Sequence, residues 1–304
     1  MLSSNTREWC RLSGKLCKHG DMQTPVAPIG TWLIDLDGVV WLSDQPIAGS
    51  ATAIGHLRDA GIRIAFATNN SAPTVSSLVE RLKLAGIDAE ASEIVTSAQA
   101  AASLLGTGST ALVCGSTGLI EALADREIEI RSRGPVDAVV VGWTDRFDFE
   151  MLTRAAMAVR DGARFIGTNE DPTHPTPMGL HPGSGAILAA VATAAEAIPE
   201  VAGKPHEPMA ALVRERYPDA SLMVGDRPAT DGVFASRLGI PFALVLSGVT
   251  GTDDSSVRVN LDFEVEDLST LVHGALSGDL AQVPGFDAVG LQNSHTLPPG
   301  MLCS

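Results

Sequence analysis

Short apolar runs alternate with helix-length segments along most of this chain, and several runs end in a carboxylate or a hydroxyl. Residues 31–35 form one such run, closed by Asp35-Leu36-Asp37-Gly38. A segment of helical spacing over 49–60 follows and stops at Gly61. Residues 62–67 form a second run and lead into Thr68-Asn69-Asn70, after which Pro73 suits the first turn of a helix reaching Leu84. A β-α-β-α order of this kind predicts a parallel sheet covered by helices on both faces. In such a sheet the ligand crevice lies beyond the carboxyl ends of the strands. The polar run-ends above would meet there.

A second series has strands over 111–114, 138–141 and 164–167 and helices over 118–124 and 149–160. A Pro/Gly-rich loop over 171–185 and an alanine-rich helix to about residue 197 complete it. A third series resumes with a helix over 207–216 and a strand over 221–225 that runs into Asp226. A turn and helix to Leu238, a strand over 242–246 and a helix over 267–276 follow. The middle series contributes no comparable strand-end acids, so it reads as an insert. The expected organisation is a discontinuous catalytic core over 29–95 and 199–276, interrupted by a second α/β domain over 96–198. Residues 1–28 and 277–304 carry no periodicity and are expected to be a disordered extension and tail. Met22 offers an alternative start.

Composition narrows the function. At 304 residues and 45% hydrophobic, the chain has enough apolar side chain for a core. A formal net charge of −15 argues against a nucleic-acid polymer or an anionic membrane as partner. An anionic substrate would need positive charge supplied locally by a metal, a lysine or helix N-termini. No apolar run reaches the roughly 18 residues that span a bilayer. Cys10, Cys17, Cys114 and Cys303 form no CxxC or Cys/His cluster, and a reducing cytoplasm is the expected compartment.

Four short motifs carry the chemistry. In Asp35-x-Asp37, residues i and i+2 at a strand end point to one side, so one carboxylate can attack while the other handles protons. Gly38 lets the chain turn away. Gly225-Asp226-x-x-x-x-Asp231 sets two carboxylates on a strand-to-helix turn, suited to a hard cation or to capping the helix. Gly203-Lys204-Pro205 holds one of four lysines, with Pro205 biasing Lys204 toward an extended conformation. Thr68-Asn69 supplies a hydroxyl and a backbone N–H for an anion. Each alone reads equally well as an acidic loop, a cap, a solvated lysine or a turn. Their order along the chain is what points to a site.

That order resembles the haloacid dehalogenase (HAD) superfamily of phosphohydrolases, through DLDGVVW (35–41), TNNS (68–71), GKP (203–205) and GDRPATD (225–231). The insert between the second and third motifs is where subclass IIA carries a large α/β cap. GTNEDPTHP, beginning at Gly167, and PGSGA, beginning at Pro182, are also similar to that subclass. The resemblance covers about 30–275 and implies a Rossmann-like core with a parallel sheet plus the inserted cap. It implies that Asp35 attacks phosphorus to give an aspartyl-phosphate and that Asp37 is the general acid and then base. Mg²⁺ would be held by Asp35, the Asp37 carbonyl and Asp226. Thr68, Asn69 and Lys204 would bind the phosphoryl oxygens, and Asp231 would orient Lys204 or a metal-bound water. Asn169, Asp171 and His174 in the cap loop would face the substrate.

The resemblance thus implies a Mg²⁺-dependent hydrolase of a small phosphomonoester. Glycerol 3-phosphate, pyridoxal phosphate, phosphoglycolate, a sugar phosphate and a nucleotide all stay open as substrates. Two alternatives stand beside it: a non-catalytic binder of a phosphometabolite, and a phosphotransferase to another alcohol. Asp37 argues against the metal-free dehalogenases of the superfamily, because it is the acid for an alkoxide. Where many phosphoglycolate and pyridoxal-phosphate phosphatases of this subclass carry an arginine, Ser71 here leads into Ala72-Pro73. Pro228 and Ala229 also depart from the usual fourth motif. Relatives can pair through their caps, which makes a homodimer the oligomer to test. Met151, Met157 and Met209 are expected in the core. Trp41 is expected either at the entrance or packed beneath the cap.

Overall fold

The computed structural model describes residues 30–43, 45–176, 178–248 and 261–277. The expected extension over 1–28 and nearly all of the expected tail over 277–304 lie outside the described residues. In chain order the strands are β1 (Thr31–Ile34), β2 (Trp41–Leu42), β3 (Gln45–Pro46), β4 (Arg63–Thr68) and β5 (Ile94–Thr96). Then come β6 (Thr110–Cys114), β7 (Glu129–Ile130), β8 (Ala138–Val141), β9 (Arg164–Gly167), β10 (Thr173–Thr176) and β11 (Gly179–Pro182). The last are β12 (Glu200–Val201), β13 (Ala220–Gly225), β14 (Phe242–Val245) and β15 (Phe263–Val265).

Six strands form one sheet in the order β15-β14-β13-β1-β4-β5, with every neighbouring pair parallel. All four residues of β1 are buried, as a central strand covered on both faces requires. Trp32 and Ile34 pack with Ile54, Leu57, Leu78, Leu82, Leu271 and Val272 from three helices on one face. Leu33, one residue out of phase, packs with Met209, Val213, Met223 and Phe234 on the other. The chain leaves β1 toward β4 and β5 and returns to its other side through β13. The order therefore reverses at β1, and a parallel sheet opens its crevice at such a point.

The insert builds a second parallel sheet, β12-β9-β8-β6-β7. Val139 and Val141 pack under the helices Phe149–Arg160 and Ser184–Ala195. On the opposite face Ala138, Val140 and Ile166 join the apolar cluster that contains Leu33 and Met223. The two sheets thus share one core. This sheet extends to Val201, three residues beyond the expected boundary at 198.

Several elements carry no signal in the sequence, the two-residue strands β2, β3, β7 and β12 among them. Residues 171–185, expected as a loop, hold the antiparallel hairpin β10–β11, with His174 opposite His181. Its β11 strand is exposed along its whole length, so no apolar alternation marks it. Strand β5 and the helix Ser97–Ser103 meet at Thr96, which forms a capping box with Gln99. Strand β15 is three residues long and joins the sheet edge. Met209 is fully buried as expected, but Met157 is 59% exposed. It follows Ala155 and Ala156, which turn into the core with Val159, and so falls on the outer face of its helix. Among the described residues no helix is long and apolar enough to cross a membrane.

Candidate active site

The functional side chains stand at the carboxyl ends of the three central strands. After β1 the Asp35 N–H donates to the Val224 carbonyl at 2.9 Å, which keeps Asp35 in register with β13. The chain then folds back on itself, the Val40 N–H donating to Leu36 at 2.9 Å and the Gly38 N–H to Trp41 at 2.7 Å. Gly38 has φ +87°, and a Cβ there would stand 2.4 Å from Asp226 Oδ2, so this turn requires glycine twice over. Trp41 is buried, and its indole N–H donates to Asp37 Oδ1 at 3.0 Å. Trp41 therefore packs beneath the site and holds the second carboxylate. Thr68 closes β4, fully buried, its hydroxyl accepting from the Asn70 N–H at 3.0 Å. Asp226 follows β13, and Asp231 lies on the single helical turn Pro228–Gly232.

Lys204 joins these parts. Its side chain is 2% exposed, and Nζ donates to Asp35 Oδ1 at 2.8 Å and to Asp231 Oδ1 at 2.6 Å. Asn69 fixes its backbone: Oδ1 accepts from the Lys204 N–H at 2.7 Å and Nδ2 donates to the Lys204 carbonyl at 3.0 Å. The Asn69 carboxamide thus braces the lysine loop. Burial alone would push the Lys204 ammonium down, but Asp231 and Asp35 hold it above its ordinary value. Burial raises the Asp35 carboxyl well above the usual range, opposed by Lys204 and reinforced by Asp231 and Asp226. Burial likewise raises Asp37, against the pull of Arg81, the Trp41 hydrogen bond and Arg227.

Carboxylate oxygens of Asp35, Asp226 and Asp231 lie within 4.8 Å of one another, and all three residues are buried. Hard oxygen donors in this number suit a small divalent cation. The space beside Asp226 is kept open by two glycines: besides Gly38, a Cβ on Gly248 would come within 2.0 Å of Asp226 Oδ2. Asp231 spends both oxygens, on Lys204 and on the Arg227 N–H at 3.1 Å. Asp35 and Asp226 are therefore the better placed pair to hold a metal, and Asp231 stands behind the lysine.

These groups open into a cavity of about 320 Å³ lined on the core side by Asp35, Asp37, Thr68, Asn69 and Lys204. The cap side brings Asn169, Asp171 and His174 to the same cavity, together with Trp143, Thr173 and Thr176. The Asn169 amide donates to the Asn69 carbonyl at 2.6 Å, and Asp171 Oδ2 accepts from Asn69 Nδ2 at 3.1 Å. Both cap residues are thus bonded to the core. Burial raises the Asp171 carboxyl, opposed by Arg227 and Asn69. His174 Nδ1 lies 3.1 Å from the Pro182 carbonyl, which also accepts from the Trp143 indole at 3.1 Å. A carbonyl only accepts, so Nδ1 carries the hydrogen, and in the neutral imidazole Nε2 is the acceptor.

A family model for haloacid dehalogenase-like hydrolases matches residues 32–129, and a HAD-hydrolase-like model matches 201–271. An acid sugar phosphatase of Staphylococcus epidermidis is 34% identical over 79% of this chain and 96% of its own length. The chain belongs to the haloacid dehalogenase-like hydrolases. It is a HAD phosphoric monoester hydrolase of subclass IIA. A D-glycerol 3-phosphate phosphatase of Mycobacterium tuberculosis is 38% identical over 73% of this chain and 64% of its own. The glycerol phosphate phosphatase structure from that organism, in complex with magnesium, matches with TM-score 0.75 and 34% identity. That match covers 83% of this chain and 78% of the other. A p-nitrophenyl phosphatase of Archaeoglobus fulgidus matches with TM-score 0.76 and 28% identity, over 81% of this chain and all of its own.

Three residues of this HAD site escaped the sequence reading. Arg227 lies inside the fourth motif, between Asp226 and Asp231, where its charge is masked by the acids on either side. Its Nη1 is 3.8 Å from Asp171 Oδ1. Trp143 stands two residues past the end of β8, so the strand-end rule would have found it. Arg81 lies on the helix Val75–Leu84, its guanidinium 4.1 Å above the Trp41 ring and bonded to the Ser43 carbonyl. Only tertiary packing brings Arg81 to the cavity, and no local signal announces it.

Proposed function

We propose that this enzyme hydrolyses a small, hydroxylated alkyl phosphate of the glycerol phosphate or sugar phosphate kind through an aspartyl-phosphate. The observation that carries the reading is one cavity with two unlike walls. Its core wall presents Asp35, Asp37, Thr68 and Lys204, and its cap wall presents, beside an Asp171 already engaged with the core, neutral hydrogen-bonding groups from Thr173, His174, Thr176 and Ser184. The lone pair on His174 Nε2 suits a substrate hydroxyl. The substrates named for the staphylococcal and mycobacterial relatives support the same class.

In the first half-reaction an Asp35 oxygen forms a bond to phosphorus while the P–O bond to the alcohol breaks. Asp37, whose carboxyl burial raises above the ordinary range, gives its proton to the departing alkoxide. In the second, Asp37 takes a proton from water, whose oxygen attacks phosphorus and frees Asp35 with inorganic phosphate. Thr68 and the Lys204 ammonium hold the phosphoryl oxygens as charge spreads onto them. Asp35, Asp226 and the Asp37 carbonyl would hold Mg²⁺, which when bound offsets the repulsion between an anionic nucleophile and an anionic ester.

The test is phosphate release from glycerol 3-phosphate, sugar phosphates, phosphoglycolate, pyridoxal phosphate and p-nitrophenyl phosphate, with Mg²⁺ and with chelator, beside Asp35→Asn. Expected are metal-dependent turnover, the highest kcat/KM on a hydroxylated alkyl ester, and a loss of about 10⁴-fold or more in the variant. A preference for pyridoxal phosphate or phosphoglycolate would overturn the substrate class. Transfer to added glycerol in place of water would mark a phosphotransferase.

A further inference from the structure

The polar contacts around Lys204 close into a ring. Asp171 Oδ2 accepts from Asn69 Nδ2 at 3.1 Å, and Asn69 Oδ1 accepts from the Lys204 N–H at 2.7 Å. Lys204 Nζ donates to Asp231 Oδ1 at 2.6 Å, and Asp231 Oδ2 accepts from the Arg227 N–H at 3.1 Å. Arg227 Nη1, 3.8 Å from Asp171 Oδ1, completes the circuit. Four members follow strands of the first sheet or lie in the lysine loop. Asp171 alone belongs to the insert, and both of its oxygens face those core residues.

We propose, resting on the phosphatase reading above, that Asp171 is a positioning residue: seating the cap loop closes this ring and fixes Lys204 and Asp231 against the reacting phosphoryl group. Two physical arguments support it. The Asn69 carboxamide holds both backbone groups of Lys204 and, among the described residues, is anchored to the cap only through Asp171, so losing Asp171 leaves the amide and the lysine loop free to shift together. A misplacement of about 1 Å at a reacting centre costs about 10²-fold in rate. Arg227 is also surrounded by the carboxylates of Asp171, Asp226, Asp35 and Asp231. Without the charge on Asp171 it would turn toward Asp35 and Asp226 and compete for the oxygens the reaction needs. Asp171 therefore acts on the phosphoryl half of the substrate, whatever alcohol leaves.

The experiment compares wild type with Asp171→Asn, Asp171→Ala, Arg227→Gln and the Asp171→Asn/Arg227→Gln pair, on glycerol 3-phosphate and on p-nitrophenyl phosphate. Expected is a fall in kcat of about 10- to 100-fold, equal on both esters, with KM within about twofold. The double variant should be no slower than the slower single one, because both changes open one ring. A rise in KM with kcat kept would make Asp171 a substrate contact and overturn the proposal, as would a loss confined to one ester or no loss at all. Asp171→Asn keeps the shape and an acceptor for Asn69, so it answers should the alanine variant fail to fold. A wild type without turnover would be a failure of the phosphatase reading instead. Hydrogen exchange at the Lys204 amide then decides: faster exchange in Asp171→Ala is expected, and unchanged exchange overturns the ring.

Discussion

On the core side of the cavity the functional side chains are buried and bonded to one another. Asp35, Lys204 and Asp231 are all under a tenth exposed and make a short chain of contacts. On the cap side His174 and Thr173 are half-buried, carried by a hairpin that pairs only with itself. On the proposed reading the core side repeats one demand, placing charge against a phosphoryl group, and it meets that demand with buried groups bonded to one another. The cap side sets Asp171 against the core and otherwise presents neutral donors and acceptors from Thr173, His174 and Thr176 that water can also reach. Chemistry and selectivity are thus assigned to walls of different rigidity, and substitutions should separate them.

The largest effect should come from Asp37→Asn, and it should depend on the leaving group. An alkoxide needs a proton and nitrophenolate does not. Turnover of glycerol 3-phosphate is therefore expected to fall about 10²–10⁴-fold, and that of p-nitrophenyl phosphate far less. Because burial raises Asp37, it stays protonated to higher pH than an ordinary aspartate. The wild-type rate on the alkyl ester should fall as pH rises through that elevated value, and a pH–rate profile of both esters checks it. Equal losses on the two esters would mean that Asp37 serves the core wall in another way.

Lys204→Met probes the rigidity directly. It leaves Asp35 and Asp231 buried without their cation, which costs about 3–5 kcal/mol. For a chain of this size the melting temperature in chelator should drop by about 10 °C. Added Mg²⁺ should restore part of the loss, since it brings positive charge to the same carboxylates. Unchanged melting would show that the core wall tolerates its own repulsion.

His174→Ala should give the smallest change. One hydrogen bond is worth about 0.5–1.5 kcal/mol, so KM for glycerol 3-phosphate should rise about 2- to 10-fold while p-nitrophenyl phosphate is unaffected. Melting should stay within about 1 °C of wild type. A fall in kcat on both esters would erase the distinction between the walls.

The same contrast decides what the sequence made legible. Asp35, Asp37, Thr68, Lys204 and Asp226 follow buried apolar strands or lie in a short, distinctive tripeptide, so local pattern announces them. The central strands of both sheets announce themselves for the same reason, β1 and β8 being buried, largely apolar runs, while the short edge strands β5, β7, β12 and β15 do not. The hairpin carries prolines and no apolar alternation, so residues 171–185 read as loop. Met157 read as core because its identity was weighed without its helical phase. Arg81 comes to the cavity by the packing of its helix beside Trp41, a fact of three dimensions. Arg227 and Asp171 are ordinary charged residues until they are seen beside each other, because the sequence gap between them is 56 positions.

The hairpin β10–β11 is tied to neither parallel sheet by strand pairing. Its sequence can change without disturbing the register of any other strand, while the acids beneath it have partners on several elements and cannot. On the proposed reading, such an arrangement would let the range of accepted alcohols change while the phosphoryl chemistry stays as it is. For protein engineering it marks residues 173–182 as the segment to randomise when a new phosphate ester is wanted.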